Sequence, residues 1–349
     1  MGDPQLDRPM TDIEGWEDSR MREPVFLLGA PRSGTSLTYS VLLLSDRFPV
    51  YRGETHLLDV CKPIYGDISN PRKRKRFLAA WVESSQFHRS GLDVAEFLNL
   101  ASRPFRHYGE FLRLFMEQVA LSQGKERWLE KTPGHIFEAR NLLRWFPDAR
   151  FLHVIRDGRD VALSLRNKGW LSNRRGDSMS QLISAARLWY RAISHGRWLQ
   201  REAGERYLEF RYEDLVRRDP ETLQRINHFI GSELDYARID AEGGGALNGG
   251  DTTYQQKMIG LSAKGCYRWE REMSPEEQRV ITHCLRPVLA EKGYRVDLPP
   301  PSGFSRFRAD LSWWGNALAI PAKYWLRHYT PLGRYARRTL DYEGNGRGT

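Results

Sequence analysis

Residues 25–46 read VFLLGAPRSGTSLTYSVLLLSD, a short apolar run, a turn framed by Gly29 and Gly34, and a segment with helical character. Strand, glycine-rich loop and helix in that order form a ready anion site, because the opening backbone amides of a helix have no partner within it. Here the amides of Ser33 to Ser36 can face an anion, with Arg32 beside them. A loop that hydrolyses ATP follows GxxxxGK[ST], using its lysine for the outer phosphates and its hydroxyl for magnesium. Gly29 and Gly34 fit that spacing, but Thr35 stands where the lysine should be. The loop therefore suits a phosphate group without requiring magnesium. An ordinary strand-to-helix turn is the bland alternative, and the glycines, the arginine and the three hydroxyls together weigh against it.

The same order of elements returns in ARFLHVIRDGRDVALSLRNKGW, residues 149–170. FLHVI predicts a buried strand, in which His153 is a core residue, and Asp160 opens a helix. RYLEFRYEDL, residues 206–215, predicts a third strand, and Asp219 caps a helix that Pro220 begins. Strands alternating with helices imply an α/β fold with a mainly parallel sheet. Between the first two strands, PRKRKR at 71–76 reads as a solvated basic helix face, and 77–123 carries helical periodicity. GGGALNGG at 243–250 has too little side-chain surface to order itself and predicts a mobile loop. The chain divides into a polar extension at 1–22, a catalytic domain at 23–297 and a basic, aromatic tail at 298–349.

With 349 residues, 40% of them hydrophobic, the chain is long enough to bury a full core. Lys and Arg total 54 against 44 Asp and Glu, which favours anionic partners without choosing among them. The three cysteines, Cys61, Cys266 and Cys284, form no CxxC pair and no even set for a disulfide framework. The polar, acidic first twenty residues lack the apolar core of a signal peptide, and no stretch reaches the roughly 20 apolar residues of a membrane span. The expectation is a soluble, cytoplasmic protein.

PRSGTS after a hydrophobic strand resembles the 5′-phosphosulfate loop of the PAPS-dependent sulfotransferases, and IRDGRDVALS, residues 155–164, resembles the 3′-phosphate motif of that family. Arg156 and Ser164 are the matching positions; an arginine fork pairs well with phosphate oxygens. Taken alone, RDGRD would read as a surface ion-pair cluster. The resemblance implies a three-layer α/β sandwich, P-loop NTPase-like, around a central mainly parallel sheet. PAPS (3′-phosphoadenosine-5′-phosphosulfate) would be the donor, adenosine 3′,5′-bisphosphate the product, and no metal would be needed. Arg32, Ser33, Gly34, Thr35 and Ser36 would hold the 5′ side.

Sulfuryl transfer needs a base for the acceptor hydroxyl and cations for the departing phosphate. The segment YRGETHLL, residues 51–58, occupies the place of the base-carrying segment in the tyrosylprotein and carbohydrate-type branches, the closest in motif, and Glu54 matches the catalytic glutamate. An ordinary carboxyl titrates near ~4.3 and is a weak base unless its surroundings raise it. His56 stays open as the alternative base, since cytosolic members use histidine. WLEKTPGHIF, residues 128–137, resembles the EKTP segment, in which Lys131 would neutralise the bridging oxygen; His135 is a further lining candidate. Thr132 and Pro133 alone would mark a capped helix start. Tyr212 matches a nucleotide-contacting tyrosine of the RYEDL segment. LSAKGCYRWERE, residues 261–272, resembles a reduced RKGxxGDWK element, so Lys264 and Gly265 carry over, but Tyr267 and Arg268 stand where glycine and aspartate would be.

Two other classes stay open. A nucleotide or nucleoside kinase would share the strand, loop and helix, but Thr35 in place of the lysine counts against it. A non-catalytic module for anionic glycans or membranes would draw on the tail, where Trp313, Trp314, Tyr324, Trp325 and Tyr329 lie among Arg306, Arg308, Lys323, Arg327, Arg334, Arg337 and Arg338. Leu311, Trp314, Leu318, Ala322 and Trp325 step at helical spacing. A peripheral membrane or lipid-acceptor contact through this tail competes with an aromatic helix packed on the catalytic domain. Nucleic acid is not expected, and neither the acceptor nor the oligomeric state is encoded legibly.

Overall fold

The protein is described by a computed structural model covering residues 23–169, 177–242 and 261–315. Four strands, β1 (Val25–Gly29), β2 (Leu129–Glu130), β3 (Arg150–Ile155) and β4 (Tyr207–Arg211), run parallel in the order β2-β1-β3-β4. β1 is buried along its whole length, which is why VFLLG reads as an unbroken apolar run. Successive side chains of a strand face opposite ways, and the two cores follow that period. Val25 and Leu27 pack with Leu152, Val154, Leu42 and Ile226 on one side. Phe26 and Leu28 pack with Phe151, Phe115, Trp189 and Leu285 on the other. Helices thus cover both faces, giving three layers. Phe26 meets Trp128 at 5.5 Å and Phe151 at 5.7 Å between ring centroids, and burying a ring of that size stabilises by roughly 1.5–3 kcal/mol.

Leaving β1, the chain first steps to β2 at the sheet edge and then crosses back to β3 on the other side of β1. The crevice beyond the carboxyl ends of β1 and β3 is where such sheets bind ligands. Gly29 pairs with Val154 there, and a Cβ on Gly29 would lie 2.8 Å from the Val154 carbonyl oxygen.

Several elements differ from expectation. RYLEFRYEDL is not one strand: β4 ends at Arg211 and a short helix, Tyr212–Val216, follows. The helix after β3 starts at Gly158, with the Asp157 carboxylate accepting from the Arg159 amide, rather than at Asp160. β2 falls in WLEKTPGHIF, where no strand was expected. Asp219 does cap the helix Pro220–Ile230, accepting from the Thr222 amide. PRKRKR opens the helix Pro71–Val82, capped by Asn70, with Arg72, Lys73, Lys75 and Arg76 exposed. All three cysteines are free. The glycine-rich stretch at 243–250 lies outside the described residues, as do Leu318, Pro321, Ala322, Lys323, Tyr324, Trp325, Arg327, Tyr329, Arg334, Arg337 and Arg338. Within the tail, residues 303–315 are helical. Trp313 is buried against Tyr190, whereas Trp314 is 66% exposed. No helix among the described residues is long and apolar enough to cross a membrane.

Candidate active site

Two left-handed residues, Arg32 (φ 74°) and Gly34 (φ 95°), turn the chain out of β1 and into the helix Thr35–Leu43. No side chain caps that helix, so its opening amides remain available. The Ser33 amide is an exception to the expected cradle, because it donates to the Ala30 carbonyl at 3.0 Å. Gly34 lies directly over the Tyr212 ring, where any Cβ would enter the ring itself. The Oγ of Ser33 and the Nε of Arg156 are buried without a hydrogen-bond partner among the described residues. Buried polar atoms are nearly always satisfied, so two orphans at one loop fit an anion with several acceptor oxygens.

Arg156, just past β3, donates from Nη1 to the Arg32 carbonyl at 3.3 Å and from Nη2 to the Gly265 carbonyl. Its guanidinium lies 4.9 Å from the Tyr212 ring centroid and 3.6 Å from the Asp160 carboxylate. Ser164, one and a half turns into the next helix, accepts from Arg32 Nε at 3.1 Å. Arg32, Ser33, Gly34, Thr35, Ser36, Arg156, Ser164, Tyr212 and Gly265 therefore converge on one crevice. Lys264 is in the adjoining turn, with its side chain exposed.

RDGRD is no surface cluster. Asp157 and Arg159 are fully buried and paired at 2.7 Å, and the Arg159 guanidinium sits 3.7 Å from the Trp269 ring centroid. The Asp160 carboxylate accepts the amides of Tyr267 at 2.7 Å and Trp269 at 2.9 Å. Tyr267, which stands where the resemblance would place a glycine, takes the left-handed conformation (φ 54°), and Asp160 holds the turn around it.

On the β2 side, Lys131 donates to Glu54 Oε1 at 2.6 Å, and its Nζ lies 5.9 Å from the Tyr39 ring centroid. The other oxygen of Glu54 is 3.4 Å from His56 Nε2, whose Nδ1 is 3.1 Å from Asp59 Oδ2. Burial alone would lower the His56 pKa, but the charge and hydrogen bond of Asp59, with Glu54 beside them, outweigh it and raise the pKa to about 9. Asp59 is likewise pushed up by burial, yet the charge and hydrogen bond of His56, with His135 nearby, hold it down at about 2. His56 is thus an imidazolium between two carboxylates at neutral pH. His135 does not line the site. It is fully buried and bonded to Glu130 at 3.1 Å. His153 is a core residue as expected, its Nδ1 2.6 Å from the Tyr207 hydroxyl.

Sequence reasoning missed Asp59, Thr55 and Glu130. The Thr55 amide donates to Thr132 Oγ1 at 2.9 Å and its hydroxyl to Glu130 at 2.8 Å. Thr132 therefore does not cap the following 3₁₀ turn with its side chain. Thr55 and Asp59 carried no signal beyond nearness to Glu54 and His56, whereas Glu130 is the glutamate of the EKTP segment.

Residues 24–236 match the family model described as the sulfotransferase family. Protein-tyrosine sulfotransferase 1 of Danio rerio is 24% identical over 288 residues, covering 80% of this chain and 74% of that protein. An omega-hydroxy-beta-dihydromenaquinone-9 sulfotransferase of Mycobacterium bovis is 32% identical over 148 residues, 39% of this chain and 37% of its own length. The fold is shared with the sulfotransferase domain of the curacin biosynthetic pathway, at a TM-score of 0.55 and 17% identity over 80% of this chain and all of that one. It is also shared with the sulfotransferase domain of the Synechococcus PCC 7002 olefin synthase, at a TM-score of 0.54 and 21% identity over 77% and 96% of the respective chains. The parallel sheet and the glycine turn after β1 thus form the P-loop NTPase-like fold of these domains. With residues 24–236, more than half of its length, under the family model, the chain belongs to the sulfotransferase family.

Proposed function

We propose that the protein transfers the sulfuryl group of PAPS to an acceptor hydroxyl, with Glu54 as the base. The observation that carries this reading is the Lys131–Glu54 pair, 2.6 Å apart, at the edge strand next to the loop that suits a phosphate. The donor brings an activated sulfuryl group on a phosphate. Arg156 and Ser164 would hold its 3′-phosphate, and the amides of Thr35 and Ser36 with the Ser33 hydroxyl its 5′ side. Arg32 and Lys131 supply positive charge where the bridging oxygen departs, which stabilises the transition state more than the ground state. Glu54 takes the acceptor proton. His56, already protonated through its contact with Asp59, is supported better as an orienting cation on Glu54 than as the base.

Glu54→Gln should abolish turnover of labelled PAPS while leaving adenosine 3′,5′-bisphosphate binding intact. Full activity in that variant would move the role elsewhere, with His56 the next to test. The acceptor panel should include phenolic peptides and lipid alcohols, because relatives named for tyrosine and for a menaquinone alcohol both match. A peripheral contact with a membrane or lipid acceptor is supported by the helix at 303–315, which leaves Phe304, Phe307, Leu311 and Trp314 more than 60% exposed at spacings of three and four residues.

A further inference from the structure

Glu54 and Lys131 come from segments 77 residues apart, and neither stands on a long rigid element. Glu54 lies in irregular chain, and Lys131 directly follows the two-residue strand β2. Something else must set their distance.

The fully buried carboxylate of Glu130 joins both segments. One oxygen accepts the Thr55 hydroxyl at 2.8 Å and the Thr132 hydroxyl. The other accepts the Thr132 amide at 3.2 Å and faces His135 Nδ1 at 3.1 Å. Thr55 in turn gives its amide to Thr132 Oγ1 at 2.9 Å. Thr55, Glu130, Thr132 and His135 all have 0% exposure. The residues so tied are the immediate chain neighbours of Glu54 on one side and of Lys131 on both. We infer that Glu130 is a positioning residue that registers the base Glu54 against Lys131 through a buried carboxylate–threonine clamp.

This rests on the roles just proposed for Glu54 and Lys131. A buried carboxylate is an expensive way to fill space, since its desolvation is offset only by well-placed partners. Packing alone would be served by an apolar side chain. Here four donors from two distant segments converge on it, and each fixes a backbone stretch that carries a reacting group. The charge and hydrogen bonds of His135 and the two threonine hydroxyls keep Glu130 ionised in spite of burial, which by itself would raise it.

The test uses Glu130→Gln in the full chain, with Thr55→Val and Thr132→Val as single-arm variants in case the glutamine form does not fold. Misplacing a reacting group by about 1 Å can cost on the order of 100-fold, so kcat should fall on the order of 10-fold or more. Adenosine 3′,5′-bisphosphate affinity should be unchanged, since Glu130 touches none of the donor-side residues. The independent readout is the acylation rate of Lys131, followed by mass spectrometry. Held against Glu54, the lysine should react slowly in the parent protein and faster in each clamp variant. Wild-type kcat in folded Glu130→Gln, or Lys131 labelling unchanged in all three variants, overturns the inference. The labelling also separates this idea from the function beneath it: if Glu54→Gln stays fully active, the base assignment fails, while the rate of Lys131 modification still reports whether Glu130 sets the pair.

Discussion

Gly34 carries two constraints that only glycine meets. Its φ of 95° is left-handed, and a Cβ would enter the Tyr212 ring. A non-glycine residue in that conformation costs roughly 1–2 kcal/mol before any clash is counted. Gly34→Ala should therefore weaken adenosine 3′,5′-bisphosphate binding by on the order of 10-fold or more by calorimetry, because both the loop and Tyr212 must move. An unchanged affinity would show that the loop does not form the phosphate cradle. Arg32 and Gly34 stood out from the residues themselves, as an arginine and a glycine beside helix-opening amides, whereas Arg156 and Ser164 were reached only through the family resemblance; the fold brings Arg156 and Ser164 to Arg32. The roles of Asp59 and Glu130 were not legible, because they depend on what the fold brings beside them. No spacing rule predicts that Glu130 meets Thr55 across 75 residues. The choice between Glu54 and His56 stayed open for the same reason, since Asp59 sets the protonation of His56 only once the chain has folded one turn past it.

At the level of elements, apolar runs with strong local punctuation read correctly: β1, β3 and the helix begun by Asp219 and Pro220. The misread ones are short or double in character. β2 has two residues, too few to show any period, and owes its existence to pairing of Val25 with Leu129 and Phe26 with Glu130. RYLEFRYEDL looked continuous because Tyr and Leu suit either state, yet the chain turns helical at Tyr212 and so brings its ring beneath Gly34. In the helix at 303–315, Ala309 and Trp313 are buried and Phe304, Phe307, Leu311 and Trp314 face outward. Apolar burial in an interface scales with area and is reinforced by anionic lipid. If this face meets a membrane, the protein should cosediment with phosphatidylglycerol-containing vesicles and far less with phosphatidylcholine alone. Phe307→Glu with Trp314→Glu should abolish that binding without loss of turnover on a soluble acceptor. Absence of pelleting with anionic vesicles would assign the face to protein packing instead.

Across the whole molecule, the perturbed groups predict how stability responds to pH. The folded pKa of His56 is raised from 6.5 to about 9, so its contribution is complete below 6.5 and is lost as pH rises through about 9. His135, raised through Glu130, acts in the same direction. Glu213, which burial pushes up from 4.5 to about 7, also costs stability as pH climbs across that interval. Opposing them is His107, stacked on Trp145 at 4.7 Å and depressed to about 4 by burial, which favours folding as pH rises from about 4 to 6.5. Below pH 6.5 these effects partly cancel. Above it, only the losing ones remain. The thermal midpoint should therefore fall between pH 6.5 and 9, and His56→Gln should flatten that decline because it removes a group whose titration spans that interval. Asp59→Asn should shift the decline toward lower pH, since His56 then loses the partner whose charge and hydrogen bond raise it. Scanning calorimetry of the three proteins in matched ionic strength measures this directly. A midpoint independent of pH over that range in the parent protein would mean that the imidazolium between Glu54 and Asp59 does not form, and the orienting role given to His56 would fall with it.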